Sequence, residues 1–295
     1  MKWPDNLGVV YYTNEKSNPI LAITLQQFYK HNPTVPVYVI INRLTGNEPV
    51  YEHVTYLNAD VSLEHDGREF SEIMQKVLPQ IKEEHILWFL DDYWLTHPID
   101  VDPLARLLQL LRDDSVDLFT FGSFPAFPQY EKHDTEYDAY GFPEEQFYYI
   151  PLDHPHLFTI QPGIWNKASL LRIVTENHIT LHNLDYSFYG DNAFIKNPES
   201  YKVLCTRYRI FEEGLYCDYW IIGYIEVTRH GAFYLCWNGF GIDPGALYHK
   251  RMLNIILENK LHLKPEYDKW LYHAKPTIVY LAYLSEGVDF STKAV

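Results

Sequence analysis

The chain has 295 residues, 47% of them apolar and 21% charged, and 24 Lys and Arg against 39 Asp and Glu leave a net charge of −15 at pH 7. That apolar content excludes a long disordered chain, which pairs low hydrophobicity with high net charge. The acidic balance disfavours a polynucleotide partner held through its phosphates, which calls for a basic face.

Cys205, Cys217 and Cys236, at spacings of twelve and nineteen, spell neither a disulfide framework nor a metal knuckle. The first residues, Met1 to Asn6, lack the apolar run of a signal peptide, and no stretch reaches the length of a membrane span. The expected setting is cytoplasmic, or host cytoplasm for a viral protein. Aromatic residues make up 16% of the chain, led by 25 tyrosines whose hydroxyls need water, a partner or a ligand.

The first 120 residues alternate strand-like and helix-like segments, the pattern of βαβ units on a mainly parallel sheet. Leu7 to Tyr12 is an apolar run, and a helix follows, capped at Asn18 with Pro19 in its first position and ended by Asn32-Pro33. Val35 to Ile41 is the second strand. Phe70, Ile73, Met74, Val77, Leu78 and Ile81 keep the spacing of an amphipathic helix that Pro79 should end or kink, and His85 to Leu90 is a buried strand. Asp102-Pro103 opens another helix, and Val116 to Phe121 is a further strand.

From Gly122 to Asp153, prolines, acids and aromatics crowd together without either period, which predicts a long surface excursion. Its aromatics, among them Phe124, Phe127, Tyr137, Phe147, Tyr148 and Tyr149, suit an acceptor platform or a loop pinned by its own side chains. His156 to Gln161 is expected as a strand, Asn166 to His178 as a helix, and residues 221 to 237 as a hairpin turning near Arg229-His230-Gly231. A helix starting at Asp243-Pro244 opens a C-terminal helical extension. The fold class is therefore α/β, with a central mainly parallel sheet flanked by helices and a small β-hairpin.

The strand of residues 85–90 ends in Asp91-Asp92. Carboxylates at the carboxyl edge of a parallel sheet lie where open α/β sheets bind ligands, and alternation sends the two to opposite faces. One can meet a divalent cation and the other a sugar hydroxyl, although an Asp pair also caps turns.

The run from His85 through Leu90-Asp91-Asp92 to Asp100 resembles the metal-site segment of nucleotide-sugar-dependent glycosyltransferases of the GT-A fold, bacterial or viral in type, in which a strand ends in a DxD or xDD motif. Val9 to Asn14, then a helix, then Val37 to Asn42 is similar to the first nucleotide-binding half of that Rossmann-like fold, and Gln161-Pro162-Gly163-Ile164-Trp165-Asn166-Lys167 resembles the loop and helix start that follow the acceptor region. The similarity covers about residues 7 to 190. It implies one glycosyltransferase domain over 1–240, with a donor half near 1–120 and an acceptor half near 121–240, and a packed extension over 241–295.

The resemblance further implies a metal-dependent transferase moving a sugar from a nucleotide sugar, expected to be a UDP-sugar, to an acceptor hydroxyl, with inversion favoured. Asp92 is assigned to Mn2+ or Mg2+, and Asp91 to the ribose or to support of the metal. The acids are adjacent instead of spaced, so Asp91 also stands as a metal candidate. Thr13, Asn14, Asn42 and Arg43, at the ends of the first two strands, are candidates for the base and ribose, and Arg68 for a phosphate; Asn and Thr are equally common in turns. Inversion needs a carboxylate base for the acceptor hydroxyl. Asp185 is the first candidate, with Asp191 and Asp153 as rivals, and Asp185 can alternatively cap a helix near Ser187. His230 or His249 can supply a further metal ligand through a neutral ring nitrogen.

Acceptors compatible with this reading are a glycan, a lipid-linked sugar or a protein, with a modified DNA base disfavoured by charge. Two rivals remain open: a catalytically idle GT-A-like domain that binds a glycan or protein, and a metal-dependent phosphohydrolase, which would need more convergent ligands.

Overall fold

All seven residues of strand β1 (Leu7–Thr13) are buried, so its N–H and C=O groups can be satisfied only by neighbouring strands. Strand β2 (Val37–Ile41) pairs with it in parallel on one side and strand β4 (His85–Leu90) in parallel on the other. The computed structural model describes residues 2–15, 17–63, 69–91, 93–95, 98–121, 147–152, 157–180 and 195–206, together with the short strands at 216–218, 223–226, 228–229 and 232–233.

Eight strands form the main sheet, in the order β3-β2-β1-β4-β8-β6-β9-β7. The added members are β3 (Val54–Asn58), β6 (Leu118–Thr120), β7 (Phe147–Tyr149), β8 (Gly163–Asn166) and β9 (Val203–Thr206). The run from β3 to β4 is parallel throughout; β8 runs antiparallel to both β4 and β6, β9 is parallel to β6, and β7 closes the edge antiparallel to β9.

Both faces of the sheet are covered, as parallel strands require. Val9 and Tyr11 of β1, with Leu87 and Phe89 of β4, pack on one face against helices α1 (Asn18–His31) and α3 (Val101–Asp113) through Leu21, Leu25, Phe28, Leu104 and Leu107. Val10 and Tyr12, with Ile86 and Trp88, pack on the other face against helices α2 (Phe70–Val77) and α4 (Lys167–Asn177) through Phe70, Ile73, Met74, Leu170 and Ile173. Tyr11 stacks on Phe89 and Tyr12 on Trp88, at ring separations of 5.1 and 5.8 Å. Each such fully buried side chain contributes roughly 1.5–3 kcal/mol.

Several sequence expectations need revision. The helix over the apolar spacing from Phe70 ends at Val77 and tightens into a 3-10 turn over Leu78–Gln80, as expected of Pro79, which cannot supply the next hydrogen-bonding N–H. The first helix takes Ser17 as its N-cap and Asn18 as its first residue. The strand expected at His156 to Gln161 falls instead at Gly163–Asn166. Leu157, Phe158 and Ile160 are buried without ladder pairing; Phe158 stacks on Trp165 and the Ile160 carbonyl accepts from Trp88 Nε1 at 3.1 Å. The apolar pattern there recorded burial, not strand pairing.

The excursion expected over 122–153 contains a strand, β7, near its end. Phe147 is fully buried and meets Phe119 edge to face, which removes it from any acceptor platform. Residues 122–146 lie outside the described residues. The hairpin expected over 221–237 resolves into two pieces. A tight pair, β12 (Thr228–Arg229) with β13 (Ala232–Phe233), turns where expected. Strand β11 (Gly223–Glu226) instead joins a small sheet between β10 (Tyr216–Asp218) and β5 (Tyr93–Leu95). The extension over 241–295 lies outside the described residues.

Gly163 owes its place to space. A Cβ on it would come within 2.6 Å of the Phe119 carbonyl oxygen, since β8 is squeezed between β4 and β6. Gly163→Ala is expected to destabilise the protein by about 1–3 kcal/mol, the usual cost of overpacking. Urea titration checks this: the midpoint should fall with the slope unchanged, and an unaltered midpoint would show that the sheet yields freely there.

Candidate functional site

Helix α1 carries the chain from β1 outward to β2 on one face of the sheet, and α2 returns it from β3 to β4 on the other. Strand order therefore reverses between β1 and β4, and the crevice beyond the carboxyl ends of such a strand pair is where open α/β sheets bind ligands. Register carries Tyr12 opposite Leu90. The next residues, Thr13 and Asp91, consequently meet at the mouth of that crevice: Thr13 Oγ1 donates to Asp91 Oδ2 at 2.5 Å.

Asp91 is held on three sides. Its N–H donates to the Tyr12 carbonyl at 3.1 Å, its own carbonyl accepts from the Thr24 hydroxyl of α1, and its carboxylate lies against Thr13, which is only 2% exposed. Asp91 continues the odd-numbered series of Leu87 and Phe89, so it leans to the α1 face, where Thr13 and Thr24 lie. Burial pushes its carboxyl up to about 6 from 3.8, against the downward pull of hydrogen bonds from Thr13 and Ser17. Asp91 is thus a rigid carboxylate poised to change charge at mild acidity.

The other expected donor residues divide. Asn14, half-buried, follows Thr13 and donates from Nδ2 to Ser17 Oγ at 3.0 Å. Arg43 is exposed past the end of β2 and pairs with Asp60 at 3.8 Å; an exposed pair of this kind is worth about 0.2–1 kcal/mol. Asn42 stands at the expected edge but turns inward. It is 0% exposed, its amide oxygen accepts the Glu15 N–H at 2.9 Å, and its amide nitrogen donates to Glu15 Oε2 at 2.9 Å and to the Val61 carbonyl at 3.1 Å. With every amide group committed within the protein, Asn42 does not meet a ligand directly. Arg68, Asp92, Asp153, Asp185, Asp191, His230 and His249 lie outside the described residues.

Thr24, Ser17 and Glu15 surround these groups and carried no motif. Only Thr24 left a trace in the sequence, as a polar residue on the apolar side of α1 between Leu21 and Leu25. Gln161, beside the crevice strand in the Gln-Pro-Gly segment, accepts from the Tyr93 hydroxyl. Among the described residues no three His, Cys, Asp or Glu side chains are gathered as a metal ion would need.

The fold defines an α/β protein whose mainly parallel sheet reverses strand order between β1 and β4. Neither a protein-family model nor a curated protein matches the sequence. Among solved structures the chain is similar to the galactosyltransferase LgtC in complex with donor and acceptor sugar analogues, at 12% identity and a TM-score of 0.30 over 58% of this chain and 62% of that one. It is also similar to S. aureus TarS in complex with UDP-GlcNAc, at 12% identity and a TM-score of 0.42 over 98% of this chain and 76% of that one. The chain spans less than two thirds of the LgtC length.

The raised Asp91 value carries a definite pH dependence. The folded state binds the Asp91 proton more tightly than the unfolded state does, so this contribution to stability is complete below the unfolded value near 3.8 and is lost as pH rises through about 6. Asp91→Asn keeps the shape and removes the charge. In metal-free buffer the variant is expected to gain on the native protein as pH rises from 4 to 7 and to melt higher above pH 6. A melting difference that stays constant across pH 4–8 would show that Asp91 is not strained by its burial.

Proposed function

We propose that this chain is a GT-A-type glycosyltransferase that transfers a sugar from a UDP-sugar to an acceptor hydroxyl. The observation that carries the reading is the Thr13–Asp91 contact at the reversal of the parallel sheet. It fixes a carboxylate beside the crevice, with a second, Asp92, next in the chain.

In this reading the nucleoside lies over the ends of β1 and β2, where Arg43 lies beside the base and ribose, Asp91 accepts from the ribose, and Arg68 faces the phosphates. Thr13 holds Asp91, and Asn14 shapes the turn beside it. Asp92, with His230 or His249, would hold Mn2+ or Mg2+, which supplies charge neutralisation for a leaving diphosphate. Asp185 takes the proton of the acceptor hydroxyl as its oxygen attacks the anomeric carbon, the bond to the diphosphate breaks, and UDP departs with inversion; Asp191 and Asp153 are the alternative bases. The acceptor is a glycan, a lipid-linked sugar or a protein, and the setting is cytoplasmic.

Incubation with a panel of nucleotide sugars and Mn2+, reading released nucleotide, tests the reaction. Turnover of a UDP-sugar is expected, and Asp92→Asn should abolish it without lowering the melting temperature. Asp185→Asn should lose about 10²–10⁴ in rate while donor affinity persists. No turnover of any donor across the panel would sink the proposal.

A further inference from the structure

His85 opens β4 at the end of the sheet opposite Asp91, about 20 Å away along the strand. Its ring lines a cavity of about 380 Å³ formed with the last turn of α3 and the turn into β6, and the charged members of that lining are Glu84, Arg112, Asp113 and Asp117. A cavity of this size holds a small organic molecule. His85 is only 1% exposed, and its Nδ1 has no hydrogen-bond partner among the described residues. A buried polar atom in that state carries a cost that a partner would remove.

The charge of the lining selects the partner. Three carboxylates stand against one guanidinium, and the C-terminus of α3 adds the negative end of its helix dipole. Burial lowers the His85 pKa from 6.5, against the upward pull of Glu84 and with a smaller downward push from Arg112, so the ring is neutral at pH 7 and keeps a lone pair on one nitrogen. Asp117 is committed within the protein, accepting the Ser169 hydroxyl and the Lys202 N–H. Glu84 is held loosely: its Oε2 lies 3.9 Å from Arg112 Nε in a half-exposed pair, and 4.0 Å from His85 Nδ1, too far for a hydrogen bond. A donor nitrogen about 2.8 Å from each of two acceptors 4.0 Å apart sees them at about 90°, close to the angle between two ammonium N–H bonds.

We propose that this cavity binds a primary alkylammonium, whose nitrogen donates to Glu84 Oε2 and His85 Nδ1 together. Leu111 and Val116, also in the lining, offer apolar surface to the alkyl tail. An anion there would face three carboxylates with one guanidinium to hold it. The cavity lies at the opposite edge of the sheet from Asp91, so the site does not depend on the donor reading.

Titration calorimetry on the full chain with butylamine, tetramethylammonium and inorganic phosphate tests this, at physiological ionic strength to screen diffuse attraction to an acidic surface. Butylamine should bind saturably, once per chain, and tetramethylammonium, a cation without an N–H, at least about tenfold more weakly. Glu84→Gln and His85→Phe should each weaken butylamine by at least about tenfold. Without amine, the melting temperature should hold in Glu84→Gln and hold or rise in His85→Phe, which removes the unpartnered nitrogen. Arg112→Gln, which removes the competitor for Glu84, should tighten butylamine severalfold. Absence of saturable butylamine binding, or an affinity unchanged in Glu84→Gln, would overturn the site whether or not His85→Phe folds. A loss in Glu84→Gln with none in His85→Phe, or tetramethylammonium bound as tightly as butylamine, would reduce the cavity to a patch of negative charge and overturn the shared hydrogen bonds. Saturable phosphate binding that disappears in Arg112→Gln would reverse the sign of the ligand and overturn the proposal as well. Each of these results leaves the glycosyltransferase reading intact.

Discussion

The pairing of β1 with β2 and β4 is the constraint on which the rest depends. A strand whose side chains are all buried has no water for its backbone, so it must be flanked on both edges by strands in register. Parallel flanking strands require crossovers, and their helices then cover the faces. Once α1 and α2 lie on opposite faces, the reversal of strand order at β1 and β4 follows, and the crevice with it. The meeting of Thr13 and Asp91 is a consequence of register carried one residue past the last ladder pair.

The polar rim obeys different physics from the core it crowns. Within the sheet the cost of burial is met by area: aromatic and branched side chains interdigitate on both faces. At the rim, the buried Thr13 and Asn42 are held by hydrogen bonds to partners from other segments. Asn42 is the clearest case, an amide with no exposure and no unused group. Asp91 is the opposite case, since its hydrogen bonds do not outweigh its burial and its carboxyl is left raised. Groups perturbed in this way concentrate at functional sites. Here the perturbed group lies at the reversal of strand order.

The two carboxylates nearest the crevice are also prepared differently. Asp91 is fixed through a hydroxyl and its own backbone, which orients it while leaving it costly to ionise. Glu15 is fixed through an amide that donates to its Oε2. Two acids of similar intrinsic chemistry therefore present different faces to a ligand.

Much of the donor half was legible in the sequence. The unbroken apolar runs at 7–12 and 85–90 marked strands buried on both faces, and the apolar spacing at 70–77 and around 104–111 marked the helices. Those periods follow from local backbone geometry, so they survive without knowledge of neighbours. The acids at 91 and 92 were placed at the sheet edge for the same reason. Tertiary structure alone decided the insertion of β8 between β4 and β6, where pairing with distant strands and the closeness allowed by Gly163 outweighed the more apolar stretch just before it. It also decided which polar residue at the β2 edge faces inward. Alternation tells which sheet face a side chain takes, not whether it turns to a ligand or into the protein, so sequence could offer Asn42 as a ligand contact; only the arrival of Glu15 and Val61 from two other segments turned its side chain into the protein.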